Sequence, residues 1–271
     1  MSQDASDTAE KAARKAASHP AFRMLARAGY AANGVVHILI GAIVLAIAAG
    51  GSGESDQSGA FTAIAEAPLG FVVLWVLVAG LVALGLWYVV EGVLADGDDV
   101  RKRWARRVGE WVKAIVYIAL GVSAATVALG ARPDGDQSAQ SASGAVLTMP
   151  GGPFILGIVG AAIVIVGGAF VVKGATRSFR EKLTMPGGTA ARAITALGVV
   201  GYVAKGIALV IVGILVITAA VTVDPGAAGG FDEAISSLIT LPFGPWLVAA
   251  VGAGFIAYGI YCFFRARYAR L

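Results

Sequence analysis

The sequence predicts an all-α membrane protein of six transmembrane helices, built as three parallel repeats of a helical hairpin. Three observations carry this. The chain of 271 residues is 58% hydrophobic and only 14% charged, with a mean hydropathy of +0.79; soluble domains run near 45–50% apolar and about 25% charged. The apolar residues fall in six runs, roughly 28–49, 70–94, 109–130, 153–175, 194–222 and 244–264. Each reaches the ~20 residues that cross a ~30 Å hydrocarbon layer at 1.5 Å per residue. Finally, landmarks return three times along the chain, spaced 80 to 82 residues and then 92.

The runs must be helices because a backbone in hydrocarbon has no water to satisfy its N–H and C=O groups. Before the first run, residues 1–20 are polar and Ala-rich and read as a disordered cytoplasmic tail. The first run is longer than the apolar core of an ordinary signal peptide and belongs to the repeat, so it is expected to stay as a helix. The repeats then divide the chain as 21–100, 101–188 and 189–271, two spans each.

The odd runs open alike. Gly29-Tyr30-Ala31-Ala32-Asn33-Gly34 returns as Gly109-Glu110-Trp111-Val112-Lys113-Ala114 and as Gly201-Tyr202-Val203-Ala204-Lys205-Gly206. A further glycine follows seven residues on, at Gly41, Gly121 and Gly213. The even runs are each preceded by Pro-x-Gly, at Pro68, Pro150 and Pro242, with glycines later at Gly85, Gly167 and Gly259 and a charge six residues beyond, at Glu91, Lys173 and Arg265. Two spans per unit return the chain to the same face. The repeats are therefore parallel, and a pseudo-threefold bundle about an axis along the membrane normal is their natural arrangement.

Lipid tails are as apolar as leucine, so close packing of small residues must help associate the helices. Gly34, Gly41, Gly85, Gly121, Gly167, Gly206, Gly213 and Gly259 supply such seams at helical spacing. The loops opposite the termini carry Asp56-Gln57-Ser58, Asp136-Gln137-Ser138 and Phe231 to Thr240. Phe231, Ala234, Ile235 and Leu238 recur at helical spacing, so short helices are expected in the outer interface, with the prolines near the first turn of each even span.

Of 21 Lys and Arg, only Arg132 falls on the outer side by this topology. That places both termini in the cytoplasm of a bacterial inner membrane by the positive-inside rule, and it explains the basic isoelectric point without nucleic acid. The single cysteine, Cys262, excludes an intrachain disulfide and any cysteine-based metal site. Only His19 and His37 are available as imidazoles, which removes an all-His metal centre or paired-His haem. No metal, cofactor, catalytic triad or phosphate-cradling loop is expected.

Polar residues within the spans remain: His37 about nine residues into the first, and Asn33, Glu91, Lys113, Lys173, Lys205 and Arg265 about one turn inside the cytoplasmic boundary. Polar groups there are costly and often functional. One reading is a vestibule for an anion or an acidic headgroup. The other is snorkelling, with Glu91 paired to Lys113 or Lys205 and His37 bonded to a neighbouring helix. Three hairpins with these entry motifs, closed by Ala257-Tyr258-Gly259-Ile260-Tyr261 and Arg265-Ala266-Arg267-Tyr268, resemble the bacterial membrane family catalogued as domain of unknown function 1206. The resemblance covers about residues 20–271 and implies six spans and an inner membrane. It brings no activity. A non-enzymatic component binding another membrane protein or lipid is the first functional expectation; a channel or transporter for a small solute or ion is the second. The bilayer is the expected partner, and the oligomeric state is left open.

Overall fold

The computed structural model describes residues 11, 13–15, 18–95 and 99–270. Most of the expected N-terminal tail lies outside the described residues. Among these residues, six helices are long and apolar enough to cross a bilayer. They are α1 (Pro20–Ala48), α3 (Gly70–Leu94), α4 (Val100–Ala128), α6 (Gly152–Ala175), α7 (Gly188–Thr222) and α9 (Gly244–Tyr268). Three short helices lie between the spans on the face opposite the termini: α2 (Gln57–Glu66), α5 (Gly135–Leu147) and α8 (Phe231–Ile239).

The odd spans begin well before their apolar runs, at Pro20, Val100 and Gly188. The basic residues there extend each helix past the hydrocarbon boundary, where hydropathy no longer marks it but the backbone hydrogen-bond ladder continues. Pro68, Pro150 and Pro242 sit two residues before Gly70, Gly152 and Gly244, where the even spans begin. Leu69, Gly151 and Phe243 follow them as N-caps, all left-handed, with φ of 63°, 74° and 62°. The next residue must be glycine: a Cβ on Gly70, Gly152 or Gly244 would collide with the carbonyl of Ile64, Val146 or Ile239 of the preceding helix. This turn is the physical reason for the thrice-repeated Pro-x-Gly.

The glycine seams join the repeats rather than the two spans of one hairpin. The closest pairs are α3 with α4, α6 with α7, and α9 with α1, so the even span of each unit packs on the odd span of the next, cyclically. A Cβ on Gly34 would lie 2.8 Å from the Gly259 carbonyl oxygen, and one on Gly259 2.6 Å from that of Gly34. Gly206 and Gly167 repeat the geometry at 2.6 and 2.8 Å. Gly213 meets the Gly160 carbonyl at 2.9 Å and Gly41 the Gly252 carbonyl at 2.6 Å. On the α3–α4 seam Gly85 faces Ala114 and Ile118, and Gly121 faces Val82.

Contacts within a hairpin complete the ring for two units only. Helices α1 and α3 pack together, as do α7 and α9, whereas α4 and α6 hardly touch. One position tells the story. A Cβ on Gly29 would stand 2.5 Å from Leu84 Cβ on α3, and one on Gly201 2.5 Å from Tyr258 Cα on α9. Their equivalent Gly109 has nothing within 4 Å. The second hairpin is splayed, and Gly109 and Ala162 are exposed in the gap.

The short helices close the opposite face by polar links between repeats. Asp56 caps α2 by accepting from the Gly59 N–H at 2.9 Å. Asp232 of α8 accepts from Ser55 N at 2.8 Å and Ser55 Oγ at 2.6 Å. Asp136 of α5 accepts from Gly230 N at 2.6 Å. Phe61, Ala234 and Ile235 point inward and are buried.

Candidate anion site within the bundle

Asn33 and His37 lie one turn apart on the buried face of α1. The His37 Nδ1 is 2.8 Å from the Asn33 carbonyl oxygen, and its Nε2 is 2.9 Å from Lys205 Nζ on α7. An Nδ1–H donating to the carbonyl leaves the Nε2 lone pair to accept from the Lys205 ammonium. The imidazole stacks beside Phe255 at 5.7 Å and Tyr258 at 4.8 Å. Asn33 Nδ2 donates to Cys262 Sγ at 3.3 Å, tying α1 to α9.

A cavity of about 210 Å³ reaches this pair, lined also by Gln57, Leu209, Phe231 and Phe255. It runs between His37 and Lys205 in the bundle and Gln57 and Phe231 on the short helices α2 and α8 of the opposite face. The site thus combines one ammonium, one imidazole and an aromatic wall.

Further cations lie in the half of the bundle nearer the termini. Arg265 is buried on α9, donating to the hydroxyls of Tyr30 at 3.3 Å and Tyr88 at 3.0 Å. Its guanidinium sits 4.3 Å from the Tyr30 ring centre. Lys173 lies over the Tyr202 ring at 4.8 Å, within electrostatic range of Arg265, Lys113 and Lys182 and of the Glu110 carboxylate. Lys205 itself lies over Tyr258 at 4.8 Å. Ring faces attract cations, the more so when desolvated.

The carboxylates are placed elsewhere. Glu110 pairs with Lys113 one turn along α4 and with Lys182 at 3.2 Å. Glu91 pairs with Lys182 at 3.9 Å, not with Lys113 or Lys205 as the sequence reading had it. Lys182 comes from the one-turn 3₁₀ helix Ser178–Lys182 after α6. That turn is held beneath the ring by Thr184 N donating to the Tyr268 carbonyl at 2.8 Å. Among the described residues, no carboxylate lies within ion-pair distance of Lys173, Lys205 or Arg265.

Of the predicted polar positions, the structure joins His37 to Lys205 and Asn33 to His37, sets Arg265 on Tyr30 and Tyr88, and gathers Glu91 and Lys113 in an ion-pair cluster with Glu110 and Lys182, with Lys173 in electrostatic range of it. The aromatic partners Tyr30, Tyr88, Tyr202 and Tyr258 escaped the sequence reading. Tyr30 and Tyr202 carried a signal, since both follow the repeat's opening glycine. No group of three or more metal-ligating side chains occurs among the described residues.

The family model described as Domain of Unknown Function (DUF1206) matches three times, at residues 28–95, 108–177 and 200–269. These matches coincide with the three hairpins. A Bacillus subtilis (strain 168) protein, "Uncharacterized protein YxxB", is 30% identical over 258 residues, covering 94% of each chain. No solved structure matches the chain. With three copies in register over most of its length, this multi-pass membrane protein belongs to the DUF1206 family.

Proposed function

We propose that the protein is a non-enzymatic pathway for a small anion across a bacterial inner membrane, with the basic face and both termini in the cytoplasm. One observation carries this reading: Lys205 and Arg265 stand within the ring against aromatic partners, with no carboxylate within ion-pair distance among the described residues, and a cavity reaches Lys205 and His37. A charge at the membrane centre costs ~2.5–3.5 kcal/mol by insertion scales and less towards the boundary, where Arg265 lies in the last turn of its helix. Aromatic rings offset part of that cost. An anion entering the cavity would offset more, and the phenyl walls of Phe231 and Phe255 restrict its size.

A test is anion uptake into phosphatidylcholine–phosphatidylglycerol liposomes containing the purified protein, driven by a potassium–valinomycin potential, with iodide and nitrate as probes. Uptake above protein-free liposomes is expected, with a reduction of about tenfold or more in Lys205→Gln. Wild-type uptake equal to that of protein-free liposomes, or unchanged uptake in the variant, would refute it.

A second reading keeps one specific observation. The splayed second hairpin exposes Gly109 and Ala162, small residues that in the other units receive a neighbouring helix. A membrane-protein partner inserting a helix there would make the chain an accessory subunit. Copurification of one stoichiometric membrane protein, lost in Ala162→Leu, would support that reading over transport.

A further inference from the structure

Helix α6 ends at Ala175, and the chain then turns sharply. Arg177 adopts a left-handed backbone, φ 59°, which swings the chain into the 3₁₀ turn Ser178–Lys182. Phe179 anchors that turn. It is buried, with its ring 5.3 Å from both Tyr202 and Tyr261. Gly198 of α7 makes room for it: a Cβ there would be 2.5 Å from the Phe179 ring.

With Phe179 fixed inward, Arg177 and Arg180 line a cavity of about 450 Å³ whose other wall is α7. Arg192 adds a third guanidinium from that wall, followed along the helix by Ala196, Val199 and Val200. Val200 is 51% exposed on the outside of the ring. The cavity is basic where α7 begins and apolar where α7 runs into the bilayer. Among the described residues, no carboxylate lies within ion-pair distance of the three arginines.

We infer that this cavity is a binding site for an anionic phospholipid of the surrounding bilayer. Charge complementarity selects the headgroup. Three guanidiniums without counterions favour a phosphodiester, which Arg binds in a bidentate geometry, and they repel the ammonium of a zwitterionic lipid. The apolar continuation of the same wall selects a lipid over free phosphate, because an acyl chain lies along Ala196, Val199 and Val200 while the headgroup stays at the interface. Basic pockets beside spans on the positively charged side are suited to such lipids. The site is separate from the interior cations, so it stands whether or not the protein conducts anions.

The test is native mass spectrometry of the full chain in mild detergent, titrated with phosphatidylglycerol or phosphatidylcholine, with and without 20 mM inorganic phosphate. Wild-type protein should bind phosphatidylglycerol at least ~10-fold more tightly than phosphatidylcholine, with inorganic phosphate leaving that binding unchanged. The triple variant Arg177→Gln, Arg180→Gln, Arg192→Gln should lower phosphatidylglycerol affinity by about 100-fold, and Arg192→Gln alone by several-fold. The variant Arg101→Gln, Lys102→Gln, on another basic segment of the same face, should keep wild-type affinity. Equal binding of the two lipids, displacement by inorganic phosphate, full affinity in the triple variant, or equal loss in the Arg101/Lys102 variant would each overturn the assignment. The single Arg192→Gln variant keeps the test decisive should the triple variant melt early.

Discussion

The glycine that opens each odd span offers an internal control, because one repeat position meets three different surroundings. A Cβ on Gly29 lands 2.5 Å from Leu84 Cβ and closer still to the Gly80 carbonyl, and one on Gly201 lands 2.5 to 2.7 Å from Tyr258 backbone atoms and Cβ. An ordinary contact begins near 3.4 Å, so the helices in both hairpins must separate by close to an ångström. Overpacking of that kind costs about 1–3 kcal/mol. At Gly109 there is open space, and replacing a mid-helix glycine by alanine there gains about 0.5–1 kcal/mol. Gly29→Ala and Gly201→Ala should therefore lower the thermal midpoint in detergent, while Gly109→Ala leaves it unchanged or raises it. At ~2–4 °C per kcal/mol for a chain of this size, the first two should fall several degrees below the third. The assay is fluorescence-detected size exclusion after graded heating. Equal losses for all three would mean that the second hairpin closes like the others, and the splayed reading would be wrong.

Other outcomes follow from the same geometry. Gly41→Leu and Gly213→Leu push a side chain into the Gly252 and Gly160 carbonyls and should reduce the melting temperature; wild-type melting in both would remove the seam argument. On the face opposite the termini, burial and then mutual repulsion raise the Glu54 carboxyl above its ordinary value; burial raises Asp56 and Asp136, against backbone hydrogen bonds that pull them down. A raised folded value means that the folded state holds more protons, so stability is fully present below pH ~4 and lost as pH rises through the raised values. Melting temperature should fall as pH rises above the ordinary carboxylate range, and Asp136→Asn should flatten that slope. Asp232→Ala removes the acceptor of two Ser55 hydrogen bonds and should cost about 1–3 kcal/mol, read as faster proteolysis of the segment before α2.

The spans and the triplication were legible because both are one-dimensional. Hydropathy integrates along the chain, and glycine at Gly34, Gly121 or Gly259 marks a close approach whatever approaches. The identity of the approaching helix was not legible. Seven-residue spacing says that Gly34 and Gly41 share a face, yet only ring closure decides that α9 fills it rather than α3. The second hairpin also departs from the repeat in sequence. Glu110 stands where the other units have Tyr30 and Tyr202, and its partner Lys113 is 39% exposed. Glu110 pairs with Lys113 and Lys182, whereas the tyrosines pack against neighbouring rings. The pairing of Glu91 was misjudged because Lys182 lies outside every span and reaches the ring only through the fold of its turn. The cations read as snorkelling residues are partly held by rings instead, a contact between elements far apart in sequence.

The most direct measurement of the central claim is to locate an anion. A structure determined by anomalous diffraction after soaking with bromide should show a peak beside Lys205 Nζ, within the cavity bounded by His37 and Phe255. Bromide found only at exposed arginines, with that cavity empty, would contradict the proposal that the cations within the ring form an anion pathway.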